Sequence, residues 1–93
     1  MTVMVHSRGA AWTRELYQET FDRAVPDPDD PPAGLIAHFA GPGEEGGWQV
    51  VEVWESVEAF HGFLEKAVLP VARDLKAPPF DSSTVEIHNA LIP

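Results

Sequence analysis

Gly46–Pro70 reads GGWQVVEVWESVEAFHGFLEKAVLP, and its hydrophobic period changes once, at Ser56. Before that point Trp48, Val50, Glu52 and Trp54 alternate with Gln49, Val51 and Val53, the two-residue repeat of a strand running from Gly46 to Glu55. After it Val57, Phe60, Leu64, Ala67, Val68, Val71 and Leu75 return at three- and four-residue spacing, which is one face of a helix. Ser56 supplies an N-cap hydroxyl and Glu58 an acid in the first turn. Pro70 removes an amide without breaking the period, so the spacing predicts a kinked helix that continues to Leu75 and stops before Pro78 and Pro79.

Working outward, Gly34–Gly41 (GLIAHFAG) is a second strand, joined to the one above through a hairpin loop of Pro42, Gly43, Glu44 and Glu45. Upstream, Pro26–Pro32 (PDPDDPP) reads as a stiff loop, extended by its prolines and by repulsion among Asp27, Asp29 and Asp30. Trp12, Leu16, Tyr17, Phe21, Ala24 and Val25 form the apolar stripe of a helix over Ala11–Val25, with Thr13 as its cap. Thr2–His6 alternates as a first strand, ended by Ser7, Arg8 and Gly9, and Thr84–Ile92 alternates as a last one. The order β-α-β-β-α-β predicts an α+β, ferredoxin-like fold in a single domain over residues 1–93. It has a four-stranded antiparallel sheet in the order 4-1-3-2, with both helices on one face.

The chain has 93 residues, 44% of them apolar, so it can form a core, though a small one. Fifteen acidic against six basic side chains leave a net charge of −9, which argues against nucleic acid and anionic membranes as partners. There is no cysteine, hence no disulfide, thiolate metal site or cysteine nucleophile. The start MTVMVHSRGAAW has neither the basic start nor the long apolar run of a signal peptide, and no run of 18 apolar residues occurs; the expectation is a cytoplasmic protein.

Strict alternation sorts the strand residues into two sets. Val3, Val5, Leu35, Ala37, Phe39, Val51, Val53, Val85 and Ile87 are nearly all apolar and are expected beneath the helices. Met4, His6, Ile36, His38, Ala40, Trp48, Val50, Glu52, Trp54, Glu86, His88 and Ala90 mix tryptophan, histidine and carboxylate on the opposite face. Left in water, Trp48, Trp54, Ile36, Val50 and Met4 would make a large apolar patch, so the expectation is a homodimer whose two sheets pack face to face and enclose the polar residues.

The Gly46–Pro70 run, with GLIAHFAG before it and VEIHNALIP (Val85–Pro93) at the end, resembles small actinobacterial-type members of the dimeric α+β barrel group that includes antibiotic biosynthesis monooxygenases. The resemblance covers most of the chain. It implies the fold and a homodimer, and it leaves activity open. The group contains cofactor-free oxygenases, lactone isomerases, polyketide cyclases, haem enzymes and proteins without known chemistry.

His38, mid-strand among apolar neighbours, is the first candidate for a general base; the plain alternative is a packed histidine satisfied at the dimer seam. His6 and His88 are expected side by side on adjacent strands with Glu52 across from His6, as oxyanion donors or proton relays, or simply as a polar network. No metal is expected from these histidines, because none shows ligand spacing, and no cofactor motif is present. Trp48 and Trp54, with Ile36 and Met4, are expected either to hold a flat ligand or to anchor the dimer. Glu55 is placed at a strand end and His61 on the solvent side of its helix. Two functions follow. One is a cofactor-independent monooxygenase, isomerase or cyclase acting on an aromatic or polyketide-like substrate. The other is a non-catalytic ligand-binding or dimeric structural module. An enclosed cavity that reaches His38 and opens to solvent would favour the first.

Overall fold

A computed structural model describes residues 1–93. The elements are β1 (Val3–Gly9), α1 (Arg14–Ala24), β2 (Leu35–Pro42), β3 (Trp48–Trp54), α2 (Val57–Phe63), a π turn (Leu64–Val68), α3 (Leu69–Asp74) and β4 (Asp81–Glu86). The sheet order is β2-β3-β1-β4, all pairs antiparallel, as the βαββαβ pattern requires. Both helix starts are capped as the sequence implies: Leu16 N–H donates to Thr13 Oγ1 at 3.1 Å, and Ala59 N–H to Ser56 Oγ at 3.1 Å. No helix is long and apolar enough to cross a membrane.

The bounds of β1 and β4 differ from expectation for one reason, the availability of partners. β1 runs on through Ser7, Arg8 and Gly9 because β3 pairs with it up to Gly9 and β4 up to Arg8, satisfying its backbone groups on both edges. β4 begins at Asp81, opposite Arg8, and ends at Glu86, opposite Val3. Beyond that, Ile87 N–H makes one bond to Thr2 O at 3.0 Å, and His88–Ile92 have no strand left to pair with.

The larger correction concerns the faces. In register, Val3 faces Trp54, Val5 faces Glu52, and Gly9 faces Trp48, so β3 turns its Trp48-Val50-Glu52-Trp54 row to the same side as Val3 and Val5. That side is the helix-covered one: Val3, Val5, Trp54 and Phe60 form the buried cluster, with Leu35, Val57, Phe63 and Leu64 packed against it. β3 is apolar on both sides, so alternation alone does not choose between them. The bulkier tryptophan row goes inward, where burying two indoles removes more apolar surface than burying two valines.

In β2 strict alternation itself fails. Leu35 pairs with Trp54 and Ala37 with Val53, leaving Ile36 as the extra residue of a β-bulge. The bulge brings His38, opposite Glu52, to the same face as Leu35.

The uncovered face therefore carries Met4, Phe39, Val51 and Val85, with the exposed bulge residue Ile36 beside them. Phe39 is 65% exposed, whereas Trp54 is completely buried. An apolar open face exists as expected, but its members are not the tryptophans.

Pro70 does not begin a new element. The helix takes it through the π turn, in which Leu69 N–H reaches back to Leu64 O, and the backbone stays helical from Val57 to Asp74. Gly34 adopts φ +91° at the entry to β2, beside Ala59 and Trp54, where any side chain would strain the turn.

Since Trp54 is the centre of the core and not a seam between copies, Trp54→Ala should destabilise the chain by about 3–5 kcal/mol. Equilibrium urea unfolding measures this directly; a loss below about 1 kcal/mol would contradict the packing.

Candidate functional site

The site is built around a buried acid. Glu52 stands mid-strand on β3 under the helices with its side chain 8% exposed, and two donors meet it. His38 Nδ1 lies 2.6 Å from Oε2, and Trp54 Nε1–H donates to Oε1 at 3.1 Å. A carboxylate taken from water needs such partners, since the penalty for an unpaired one is several kcal/mol.

The Glu52 contact decides the histidine's tautomer. With Nδ1 carrying the proton toward Glu52, Nε2 is left as the acceptor, and Tyr17 Oη lies 2.6 Å from it, donating its hydroxyl proton. Tyr17 comes from α1 and His38 from β2, so the chain Glu52–His38–Tyr17 joins sheet to helix. Rings surround it: the Tyr17 and His38 rings lie near-parallel, end to end through their hydrogen bond, with centroids 6.0 Å apart, Tyr17 meets Trp48 at 5.7 Å, and Phe21 lies 5.0 Å from His38. Burial raises the Tyr17 phenol to about 12, with the charges of Glu52 and Asp22 adding to it, so the hydroxyl keeps its proton as a donor.

These side chains border a partly open cavity of about 100 Å3 between the sheet and the helices. Trp12, Phe60, Leu64, Val68 and Phe80 complete its apolar wall. Trp12 is held by a hydrogen bond from Nε1 to Pro78 O at 2.8 Å, and it packs so closely over Gly9 that a Cβ there would overlap the indole. Trp48 Nε1 is the one buried side-chain polar atom without a hydrogen-bond partner.

Of the residues singled out from sequence, His38, Glu52, Trp48 and Trp54 converge, with Trp48 on the cavity wall and Trp54 behind Glu52. They do so beneath the helices of one copy and not on the open face. His6, His88, Met4 and Ile36 do not join them. His6 lies opposite Val51 on the open side, where its Nε2 is 2.9 Å from Gln49 Oε1 and its Nδ1 3.1 Å from Arg8 Nη2. His88 follows β4 and is exposed, so the expected His6–His88–Glu52 network does not form. Met4 and Ile36 are half-exposed, away from the cavity wall. His61 is exposed, as expected, and Glu55 falls at the end of β3.

Sequence reasoning does not single out Tyr17 and Phe21 as site residues, because both fit the apolar stripe of α1. One signal points to the first of them: Tyr17 is the chain's only tyrosine, and a tyrosine packed against a sheet needs a partner for its hydroxyl.

Comparison with known proteins yields structural relatives only. No family model and no curated protein sequence matches the chain. Rv0793 from Mycobacterium tuberculosis superposes with a TM-score of 0.70 at 16% identity, over 97% of this chain and 98% of that one. SnoaB from Streptomyces nogalater, a cofactor-independent oxygenase, gives 0.64 at 18% identity over 97% and 95%. A point mutant of MhuD, solved with two manganese protoporphyrin IX molecules bound per active site, gives 0.64 at 18% identity over the whole of both chains. The fold is the ferredoxin-like one of the antibiotic biosynthesis monooxygenase-like proteins.

With a single tyrosine in the chain, tyrosinate absorbance reports Tyr17 alone. Native protein should titrate near 12, and Glu52→Gln should lower that midpoint toward 10 by removing a negative neighbour. Because the folded state holds this proton more tightly than the unfolded chain, the Tyr17 contribution to stability is full below about pH 10 and is lost as pH rises through 10 to 12. An unshifted midpoint in Glu52→Gln would rule out the coupling.

Proposed function

We propose that the chain is a cofactor-independent enzyme of small-molecule metabolism that removes a proton from an aromatic or enolisable, polyketide-like substrate. One observation carries the reading: the hydrogen-bonded series Glu52–His38–Tyr17 ends at an apolar cavity. The reacting ring enters the cavity and its hydroxyl meets Tyr17. The substrate proton passes to Tyr17 Oη as the tyrosine's own proton passes to His38 Nε2, and Glu52 stabilises the imidazolium. The arrangement has the logic of a triad in which the hydroxyl relays a proton instead of attacking. Trp48 Nε1–H, left without a partner, is a donor to a substrate oxygen reaching that wall. Oxygenation, isomerisation and cyclisation all begin from the resulting anion.

SnoaB's description as a cofactor-independent oxygenase supports this direction among the fold relatives. A porphyrin does not fit. The cavity is about 100 Å3, smaller than the ~150 Å3 that holds one benzene, and both nitrogens of its only histidine are engaged. One ring fits partway, with the rest of the substrate outside the cavity.

The same reading assigns the open sheet face to a second copy. Only nine of 93 residues are buried in one copy, and Met4, Ile36, Phe39, Val51 and Val85 leave apolar surface on the open side of the sheet that a twofold-related sheet would cover. Sedimentation should give twice the chain mass, and Phe39→Glu should give monomers; a native monomer at micromolar concentration would overturn this assignment.

The catalytic reading is tested by thermal-shift and calorimetric titration of phenols, hydroquinones and naphthols. A binding phenol should lose about tenfold or more in affinity with His38→Gln, and turnover should vanish with the fold retained. Binding unchanged in His38→Gln would remove His38 from the site, and binding without turnover under any condition would favour the ligand-binding module.

A further inference from the structure

Beside the cavity lies a second, larger concavity. It is a groove of about 410 Å3 between α3, the Ala77–Phe80 loop and the start of β4. The two share a wall made of Leu64, the first residue of the π turn, and Phe80, which stands edge-on to Trp12 with ring centroids 5.6 Å apart. Leu64 and Phe80 are thus the side chains that a ligand spanning both concavities would have to move.

The groove's chemistry differs from the cavity's. Its floor is apolar, from Leu69, Ala72, Ala77 and Pro78, while Arg73 and Lys76 stand on it. In a chain with fifteen acidic residues, none of the ten that line the groove is acidic, and neither cation is ion-paired. The cations lie at the carboxyl end of α3, where the backbone offers carbonyls and not amides. Those carbonyls disfavour any anion, so attraction there comes from the two side chains alone, a guanidinium and an ammonium able to pair with a singly charged carboxylate without an amide cradle.

We propose that cavity and groove are two halves of one binding site, and that the substrate is a phenol or enol carrying a carboxylate tail, held by Arg73 and Lys76. The proposal rests on the reading of the cavity given above and names its substrate class. The net charge of −9 repels an anion at a distance, but screening removes most of that beyond about 8–10 Å, leaving the local pair of cations to decide affinity at contact.

The test is calorimetric titration with two matched series, ω-(4-hydroxyphenyl)alkanoates and 4-alkylphenols of equal chain length, with the corresponding alkyl phosphates as a third arm. At the chain length that spans the shared wall, the carboxylate should bind at least about tenfold tighter than its neutral counterpart. Raised salt should shrink this advantage, and Arg73→Gln combined with Lys76→Asn should abolish it while leaving alkylphenol affinity unchanged. Both residues are exposed, and asparagine tolerates the φ of +53° at Lys76, so the variant should fold. Equal affinity of acid and alkylphenol at every length, a preference that survives the double variant, or a stronger preference for phosphate would overturn the proposal while alkylphenol binding kept the cavity reading intact. Failure of all three series to bind would overturn both.

Discussion

Glu52 sets the terms for everything around it. A carboxylate in the middle of the central part of a sheet, beneath a helix layer, is tolerated only if donors converge on it, and both of its oxygens are met. Trp54, two residues along the same strand, returns its indole N–H to the acid, so the largest core residue is also a polar partner. His38 must reach the other oxygen from β2. The bulge at Ile36 makes that possible, because without the extra residue His38 would point to the open face if Leu35 kept its place in the core. Tyr17 then completes the histidine's second nitrogen from α1. Fold and candidate chemistry are joined at this one acid: the bonds that make its burial tolerable also orient the imidazole and hold a phenol at the cavity wall.

The two faces of the sheet differ in character. The covered face holds the hydrogen-bonded series and the cavity it borders. The open face presents aliphatic side chains and Phe39, with the His6–Gln49–Arg8 trio among them. A substitution on the open face therefore leaves the core packing and the Glu52–His38–Tyr17 series untouched, whereas one on the covered face disturbs both.

The helix after β3 contributes through an irregularity. Pro70 removes a backbone donor, and the π register upstream of it absorbs the disturbance while keeping Leu64 and Val68 on the cavity wall. Leu64 also borders the groove, so the place where the helix departs from α geometry is where the two concavities meet.

Element order, the capped starts at Thr13 and Ser56, and the α+β sheet with its 4-1-3-2 order were legible in the residues, because hydrophobic period and capping are local properties. That His38, Glu52, Trp48 and Trp54 share a face was legible too. Which face it is was not. β3 is apolar on both sides, and a choice between them depends on total buried volume against helices far away in sequence. The bulge at Ile36 has no local signature, and the ends of β1 and β4 were decided by which neighbours had partners to offer. Tyr17 looked like one more apolar position of α1; its hydroxyl acquired meaning only when folding brought it, across 21 residues of chain, to the free nitrogen of His38. Short-range periodicity lies in the order of the residues, whereas the pairing of polar atoms across elements exists only once packing has fixed their distances.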